Sequence, residues 1–353
     1  MNILITGNMG YVGPCVVEKL RTSYPNATLV GLDTGYFANC LAIAEILPEC
    51  RLDQQYFGDV RKIPERLLDD VEAIVHLAGI SNDSMGNTFE EITLDINYKA
   101  SIDLARKAKE KGVRSFVFAS SCSIYGSADD SPRNERSQLN PLTAYAKSKV
   151  YAERDLESMA NKNFTVTSLR FSTACGMSER LRLDLVLNDF VTSAVIFKKI
   201  TILSDGTPWR PLINIKDMAR AIDWAIGRDA GNGGPFVAVN IGSDTCNYQV
   251  RDLAHAVSEV IPGVEISINK DAQPDKRSYK VDFNLFKRLA PAYQPQTDLL
   301  STIKELKIGL DAMRFSDEDF RNSRLMRLKV LTYLRSKGLL TEKLEWNHSY
   351  RVA

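Results

Sequence analysis

The chain opens with a short apolar run, NILIT (2–6), that leads without a spacer into Gly7, Gly10 and Gly13 and then into an amphipathic stretch, PCVVEKLRTSY (14–24). A β-rich run, glycines at G-x-x-G-x-x-G spacing and apolar residues at helical period predict strand, tight turn and helix. No other feature constrains the fold as much. The turn brings backbone close to a pyrophosphate, and the helix N-terminus supplies amide donors and partial positive charge. Asp33 closes the next apolar run, TLVGLD (28–33), 20 residues past Gly13. A carboxylate there accepts hydrogen bonds from both ribose hydroxyls of NAD and repels a 2′-phosphate. No Arg or Lys follows within the next few residues, so NAD is expected over NADP. Met9, Tyr11 and Val12, between the glycines, are expected to line the cofactor.

The alternation continues. AIVHLAG (73–79), SFVFASS (115–121) and TVTSLRFS (165–172) read as strands, and 92–112 and 144–162 as helices. Continuous apolar strands between helices predict an α/β fold, a Rossmann-type doubly wound parallel sheet covered on both faces. After Gly176 the pattern changes. Helices are expected at 181–199, 217–228 and 249–261, with a buried strand at 236–242. The expected division is an NAD-binding domain of 1–176, joined by 211–243, and a smaller discontinuous α/β substrate lobe of 177–210 and 244–353. Its tail is helical. The basic, Leu-rich segment 320–340 is expected to pack as an amphipathic helix on the lobe or in an oligomer contact.

Composition excludes several partners. Lys plus Arg number 45 against 44 Asp plus Glu, leaving no basic field to hold nucleic acid or an acidic membrane. No apolar stretch approaches the roughly 18 residues of a membrane span. The first residues lack the basic region of a secretory leader, and glycines interrupt the apolar run. Six cysteines lie scattered without C-x-x-C spacing, beside only three histidines. A disulfide framework, a zinc site or any other metal is therefore not expected, and a reducing cytoplasm is the expected setting.

Further candidates follow from position. Asp59 and Val60 end the extended run QQYFGDV, where a carboxylate can reach an adenine amino group. Leu77, Ala78 and Gly79 close the third strand, and Gly79 leaves room for a cofactor. His76 is flanked by apolar residues and reads as a core histidine. Tyr145 and Lys149 stand four apart on one face of a helix. A phenol with a pKa near about 10 is a poor base at neutral pH. A nearby ammonium and the positive nicotinamide are expected to favour the phenolate. Ser121, at the end of the preceding strand, is placed to bond a substrate hydroxyl and relay its proton. These three residues point to hydride chemistry at a sugar or alcohol carbon.

The glycine loop TGNMGYVG, the run HLAG, SSCSIYG (120–126), the Tyr145/Lys149 pair and LRFSTACG (169–176) resemble the extended short-chain dehydrogenase/reductase family, and within it the nucleotide-sugar epimerase and dehydratase branch. WRPLINIKDMARAI (209–222) and the segment around Arg277 extend the resemblance into the substrate lobe. By resemblance, Ser121, Tyr145 and Lys149 fall on catalytic positions. Gly7, Gly10, Gly13 and Asp33 fall on NAD-binding positions, and Asn97 on one that is structural or near the cofactor. Asn188, Arg210 and Arg277 fall near positions that hold a sugar nucleotide's diphosphate, a task suited to arginine's fork. Ser81, Ser123 and Thr173 are expected on the substrate side. A homodimer through a four-helix bundle of 92–112 and 144–162 is implied by analogy.

Departures from the family narrow the chemistry. The 4,6-dehydratases carry acidic residues directly after the catalytic Ser or Thr, where this chain has Cys122 and Ser123. The dual 3,5-epimerase/reductases add a Cys and a His, and no histidine falls within 145–215. Thr173 and Cys175 replace the usual Asn and Tyr of the LRFSTACG segment. Cys122 and Cys175 themselves read as packed thiols. The expectation is an NAD-dependent nucleotide-sugar epimerase acting at C4. A nucleotide-sugar dehydrogenase or 4-keto reductase on the same residues is the alternative, and a catalytically idle NAD-sensing protein a remoter one.

Overall fold

The computed structural model describes residues 1–127, 131–269, 271–272 and 278–348. Its strands are β1 (Asn2–Thr6), β2 (Thr28–Asp33), β3 (Gln54–Phe57), β4 (Ala73–His76), β5 (Ser115–Ser121), β6 (Thr165–Phe171), β7 (Thr173–Cys175), β8 (Lys199–Ile202), β9 (Trp209–Asn214), β10 (Phe236–Ile241), β11 (Asn247–Gln249) and β12 (Glu265–Ile268). The helices are α1 (Gly13–Ser23), α2 (Asp83–Thr88), α3 (Glu90–Leu94), α4 (Ala100–Glu110), α5 (Ala144–Met159), α6 (Val186–Phe197), α7 (Ile215–Gly227), α8 (Val250–Val260), α9 (Asn284–Leu289), α10 (Leu299–Ala312) and α11 (Arg327–Ser336).

Seven strands form one parallel sheet in the order β10-β6-β5-β4-β1-β2-β3. The chain builds outward from β1 in one direction and then restarts at β4 on its other side. The loops after β1 and β4 therefore diverge and leave a crevice at the carboxyl ends of the strands. Side chains of β1 alternate between two cores. Ile3 and Ile5 pack with α1 and α7, through Val16, Leu20 and Trp224. Leu4 packs on the other face with Leu104, Phe116 and Leu156 of α4, β5 and α5. A separate core joins α6, α8 and α10 through Leu187, Val191, Leu253 and Leu306. A three-stranded sheet, β11-β9-β7, and a two-stranded one, β12-β8, accompany that unit. The strand expected at 236–242 forms β10, the edge of the large sheet. Among the described residues no helix is long and apolar enough to cross a membrane.

Three elements differ from the sequence expectation. The helix expected at 92–112 is α3 and α4 joined by a π-turn, Asp95–Lys99. The wider turn carries Asn97, whose side chain is completely buried. The helix expected from 181 begins at Val186, because Leu181 and Leu183 pack inward while Arg182 and Asp184 pair with each other between them. LRLDL has the two-residue period of extended chain, and the structure follows it. The tail divides: Phe320 and Leu325 join the core of α6, α8 and α10, whereas Leu331, Leu340 and Leu344 join the core beside β4 and α4.

His76 lies in that same interior, with one ring nitrogen 2.7 Å from Thr6 Oγ1 and the other 2.7 Å from Ser101 Oγ. Burial, with a smaller contribution from Lys149, pulls its pKa down to about 3. The unfolded chain therefore binds more protons below the ordinary value near 6.5, and stability falls as pH drops through that range. Between pH 7 and 5 this site costs about 2 kcal/mol. Urea unfolding at a series of pH values is expected to show that slope, and to show it flattened in His76→Gln.

Candidate active site

The glycine turn after β1 is packed to its limit. Gly7 has φ of +78°, and a Cβ there would lie 2.5 Å from the Ala78 nitrogen. A Cβ on Gly13 would lie 1.9 Å from the Asn8 carbonyl oxygen. Gly10 is less confined, its nearest neighbour being the Gly7 oxygen at 3.2 Å. α1 then starts without a side-chain cap and without an acid in its first turn, which leaves amide donors for an anion. Asp33 ends β2 beside the turn. One carboxylate oxygen accepts from the Met9 amide at 3.0 Å and the other from the Gly35 amide at 2.8 Å. Burial pushes its pKa up, and those two amides oppose the shift. Each oxygen keeps a lone pair for a diol. The residues present thus fit a dinucleotide: a cradle that any side chain would fill, open helix amides and a positioned carboxylate.

Across the crevice, β5 delivers Ser121 and α5 delivers Tyr145 and Lys149. Thr143 caps α5, its hydroxyl accepting from the Ala146 amide at 3.1 Å and donating to Asp83 at 2.6 Å. Ser121 and Tyr145 line the same cavity, and Ser121 Oγ accepts from the Ser123 amide at 3.1 Å. Lys149 is 6% exposed and donates to the Ala119 carbonyl at 2.7 Å. Its nitrogen lies 4.7 Å from the centre of the Phe118 ring and 5.6 Å from that of Tyr145. Burial draws the Lys149 pKa down to about 8, opposed by Glu153, so the ammonium still dominates at pH 7. Tyr145 is pushed up to about 12, first by burial, with Asp83 adding to the rise and the Ser121 hydroxyl and Arg182 opposing it. The lowered phenol expected from the sequence is therefore not the state of the chain alone. Burial outweighs the groups that oppose it.

One cavity of about 990 Å³ runs past all of these groups. It is lined by Gly7, Gly10, Tyr11, Val12, Gly13, Asp33, Asp59, Val60, Leu77, Ala78 and Gly79, then by Ser81, Ser121, Ser123, Tyr145, Lys149, Thr173 and Arg210. Ser123 Oγ is buried and has no hydrogen-bond partner among the described residues. Arg277 lies outside the described residues.

Three expected ligands stand behind the wall instead, each because its polar groups are used by the chain. Met9 has a buried side chain, and its amide holds Asp33. Asn97 binds both the amide and the carbonyl of Ile80, at 2.7 and 2.8 Å, and so fixes the loop after β4. Asn188 accepts from the Gly176 amide and donates to Arg182 O and the Tyr11 hydroxyl. Asp59 does reach the cavity, but Arg61 grips both its carboxylate oxygens. Cys122 and Cys175 are buried on backbone carbonyls, and burial raises both thiols.

Sequence reasoning missed a polar cluster in the cavity wall. Arg182 pairs with Asp184 and donates to Ser81 at 2.8 Å, and Asn82 donates to Asp184 at 2.9 Å. The alternation in LRLDL was the available signal. Tyr279, Arg321 and Arg327 also line the cavity. They come from segments with no motif around them.

The model of the NAD dependent epimerase/dehydratase family matches residues 3–242. The chain belongs to that family. Among its relatives in it, a putative UDP-glucose 4-epimerase of Methanocaldococcus jannaschii is 25% identical over 322 residues, spanning 86% of this chain and 96% of that one. UDP-glucuronic acid decarboxylase 3 of Arabidopsis thaliana is 26% identical over 339 residues, spanning 94% and 91%. The solved structure of MoeE5 in complex with UDP-glucuronic acid and NAD superposes with a TM-score of 0.75 at 24% identity, over 88% of this chain and 99% of that one. At that identity the likeness is one of fold.

Gly13→Ala is expected to destabilise this member of the family by about 1–3 kcal/mol or more, because backbone must move to admit the methyl group. Gly10→Ala is expected to cost less. Denaturant midpoints of the two variants against the parent check the order.

Proposed function

We propose that the protein is an NAD-dependent epimerase of a nucleoside-diphosphate sugar, UDP-linked, inverting the sugar at C4. The observation that carries this reading is the convergence of Ser121, Tyr145 and Lys149 on one cavity that also contains the glycine turn and Arg210. The names of its relatives support a UDP-sugar: one is a putative UDP-glucose 4-epimerase, one a UDP-glucuronic acid decarboxylase, and MoeE5 was solved with UDP-glucuronic acid. NAD, when bound, supplies the hydride acceptor and donor. Gly7, Gly10 and Gly13 admit its diphosphate, and Asp33 holds the adenosine ribose.

The chain's own residues handle the proton and the geometry. Tyr145 takes the proton of the substrate hydroxyl and gives it back. Ser121, on the same cavity wall as Tyr145, orients that hydroxyl and relays the proton. Lys149 keeps positive charge beside the phenol, which favours the phenolate that the first step needs. Ser123 Oγ, otherwise unpartnered, is available to a sugar hydroxyl. Inversion requires a diphosphate anchor that stays fixed while the sugar turns. Arg210, on β9 and away from the glycine turn, is the anchor in this reading, and the cavity has room for the turn. Cys122 has no acid–base role, since it is fully buried and its thiol is raised. With no carboxyl directly after Ser121, elimination of water is disfavoured. A homodimer through α3, α4 and α5 belongs to the same reading, and Tyr98 and Tyr151 present paired rings on that side.

Tyr145→Phe is expected to lower turnover by about 10² to 10⁴-fold while leaving bound nicotinamide in place. The assay is conversion of UDP-sugars by the purified protein with no nicotinamide added. Turnover without added cofactor supports the epimerase. Stoichiometric consumption of added NADH replaces it with a keto-sugar reductase, and undiminished turnover in Tyr145→Phe removes the catalytic assignment.

A further inference from the structure

Arg327 opens α11 and is 1% exposed, yet it lines the cavity. Its Nη2 donates to the Arg180 carbonyl at 2.7 Å, and its guanidinium carbon lies 4.8 Å from the centre of the Phe37 ring. Nη1 is buried with no hydrogen-bond partner among the described residues. The neighbouring arginines are all compensated: Arg180 by Glu49, Arg182 by Asp184 and Arg321 by Asp189. Arg327 enters no ion pair among the described residues. A buried guanidinium with a free N–H and no counterion is costly, and an anion in the cavity removes both costs at once.

Position selects the anion. Phe37 follows Asp33 on the loop that leaves β2. The Arg180 backbone is tied to the glycine turn through Ser178, whose hydroxyl donates to Tyr11 O at 2.7 Å and accepts from the Arg180 amide at 3.1 Å. The hydrogen bond and the ring contact of the Arg327 guanidinium are thus to Arg180 and to the loop after β2, whereas Arg210 belongs to β9. We propose that Arg327, supplied by the C-terminal segment, binds the diphosphate of the dinucleotide from outside the glycine turn. The inference rests on the dinucleotide reading above. Arginine suits the task, because two free N–H groups can meet two phosphate oxygens.

The segment that carries Arg327 is fastened at the adenosine end. Trp346 Nε1 donates to Thr34 O at 2.7 Å, the Tyr36 hydroxyl donates to Leu344 O, and Arg61 donates to Lys343 O at 2.8 Å. Leu331, Leu340 and Leu344 bury its apolar side. The tail therefore braces the β2 loop as well as placing the charge.

The test compares ligands with and without a diphosphate on the full-length chain. Arg327→Met keeps the volume and removes the charge, and Arg327→Lys keeps the charge and removes the fork. Calorimetry on protein freed of any bound nicotinamide would give the affinity for ADP-ribose, for adenosine and for UDP, with melting temperatures to establish folding. Arg327→Met is expected to weaken ADP-ribose by about tenfold to a hundredfold, the scale of a charge-assisted hydrogen bond, and to leave adenosine and UDP unchanged. Arg327→Lys is expected to fall between Met and the parent. If the Met variant does not fold, the Lys variant decides alone. An unchanged ratio of ADP-ribose to adenosine affinity overturns the proposal. So does a loss confined to UDP, which would assign Arg327 to the substrate's diphosphate. A parent protein that binds no ADP-ribose at all would instead overturn the dinucleotide reading.

Discussion

The hydrogen bond from the Lys149 ammonium to the carbonyl of Ala119 joins α5 to β5 at the point where the chemistry is placed. It helps to set the separation of Tyr145 and Ser121, which sit on two different elements. The bond is strong because it is buried, and it is costly for the same reason. A second tie lies one helical turn further along α5, where Glu153 accepts from Ser120, Ser168 and Arg170. Both ties are inside the protein, so the register of α5 against the sheet does not depend on the ligand.

The opposite wall is built by exclusion rather than by bonding. Gly7 and Gly13 leave no space for a side chain, so backbone lies where a pyrophosphate needs it. Asp33 is held by the Met9 and Gly35 amides before any ribose arrives. Preorganisation of this kind lowers the entropy lost on binding. The polar atoms left unpaired in the cavity wall, Ser123 Oγ and Arg327 Nη1, then mark where the chain has not completed itself.

Much of this was legible because it is local. The strand, glycine turn and helix occupy consecutive residues, and Tyr145 and Lys149 share one helical turn. The parallel sheet followed from the apolar strands that alternate with helices. What escaped depends on contacts distant in sequence. Asn97 and Asn188 have the side chains of ligands, but Ile80, Gly176 and Tyr11 consume their hydrogen bonds, and no sequence spacing reveals that. The segment 181–185 suits a helix by sequence because its leucines fit either period. Its packing against Leu325 and the Arg182–Asp184 pair select the extended form. Arg327 lies more than 300 residues from the glycine turn whose cavity it shares, in a basic stretch whose composition reads equally well as a solvated helix.

Incubation of the protein with UDP-sugars in heavy water, followed by proton NMR, tests the central claim most directly. The account predicts inversion at C4 with the C4 hydrogen retained and no deuterium entering the ring, because hydride leaves to the cofactor and returns from it without exchanging with solvent. Deuterium at C3 or C5 would show enolisation, and would contradict it.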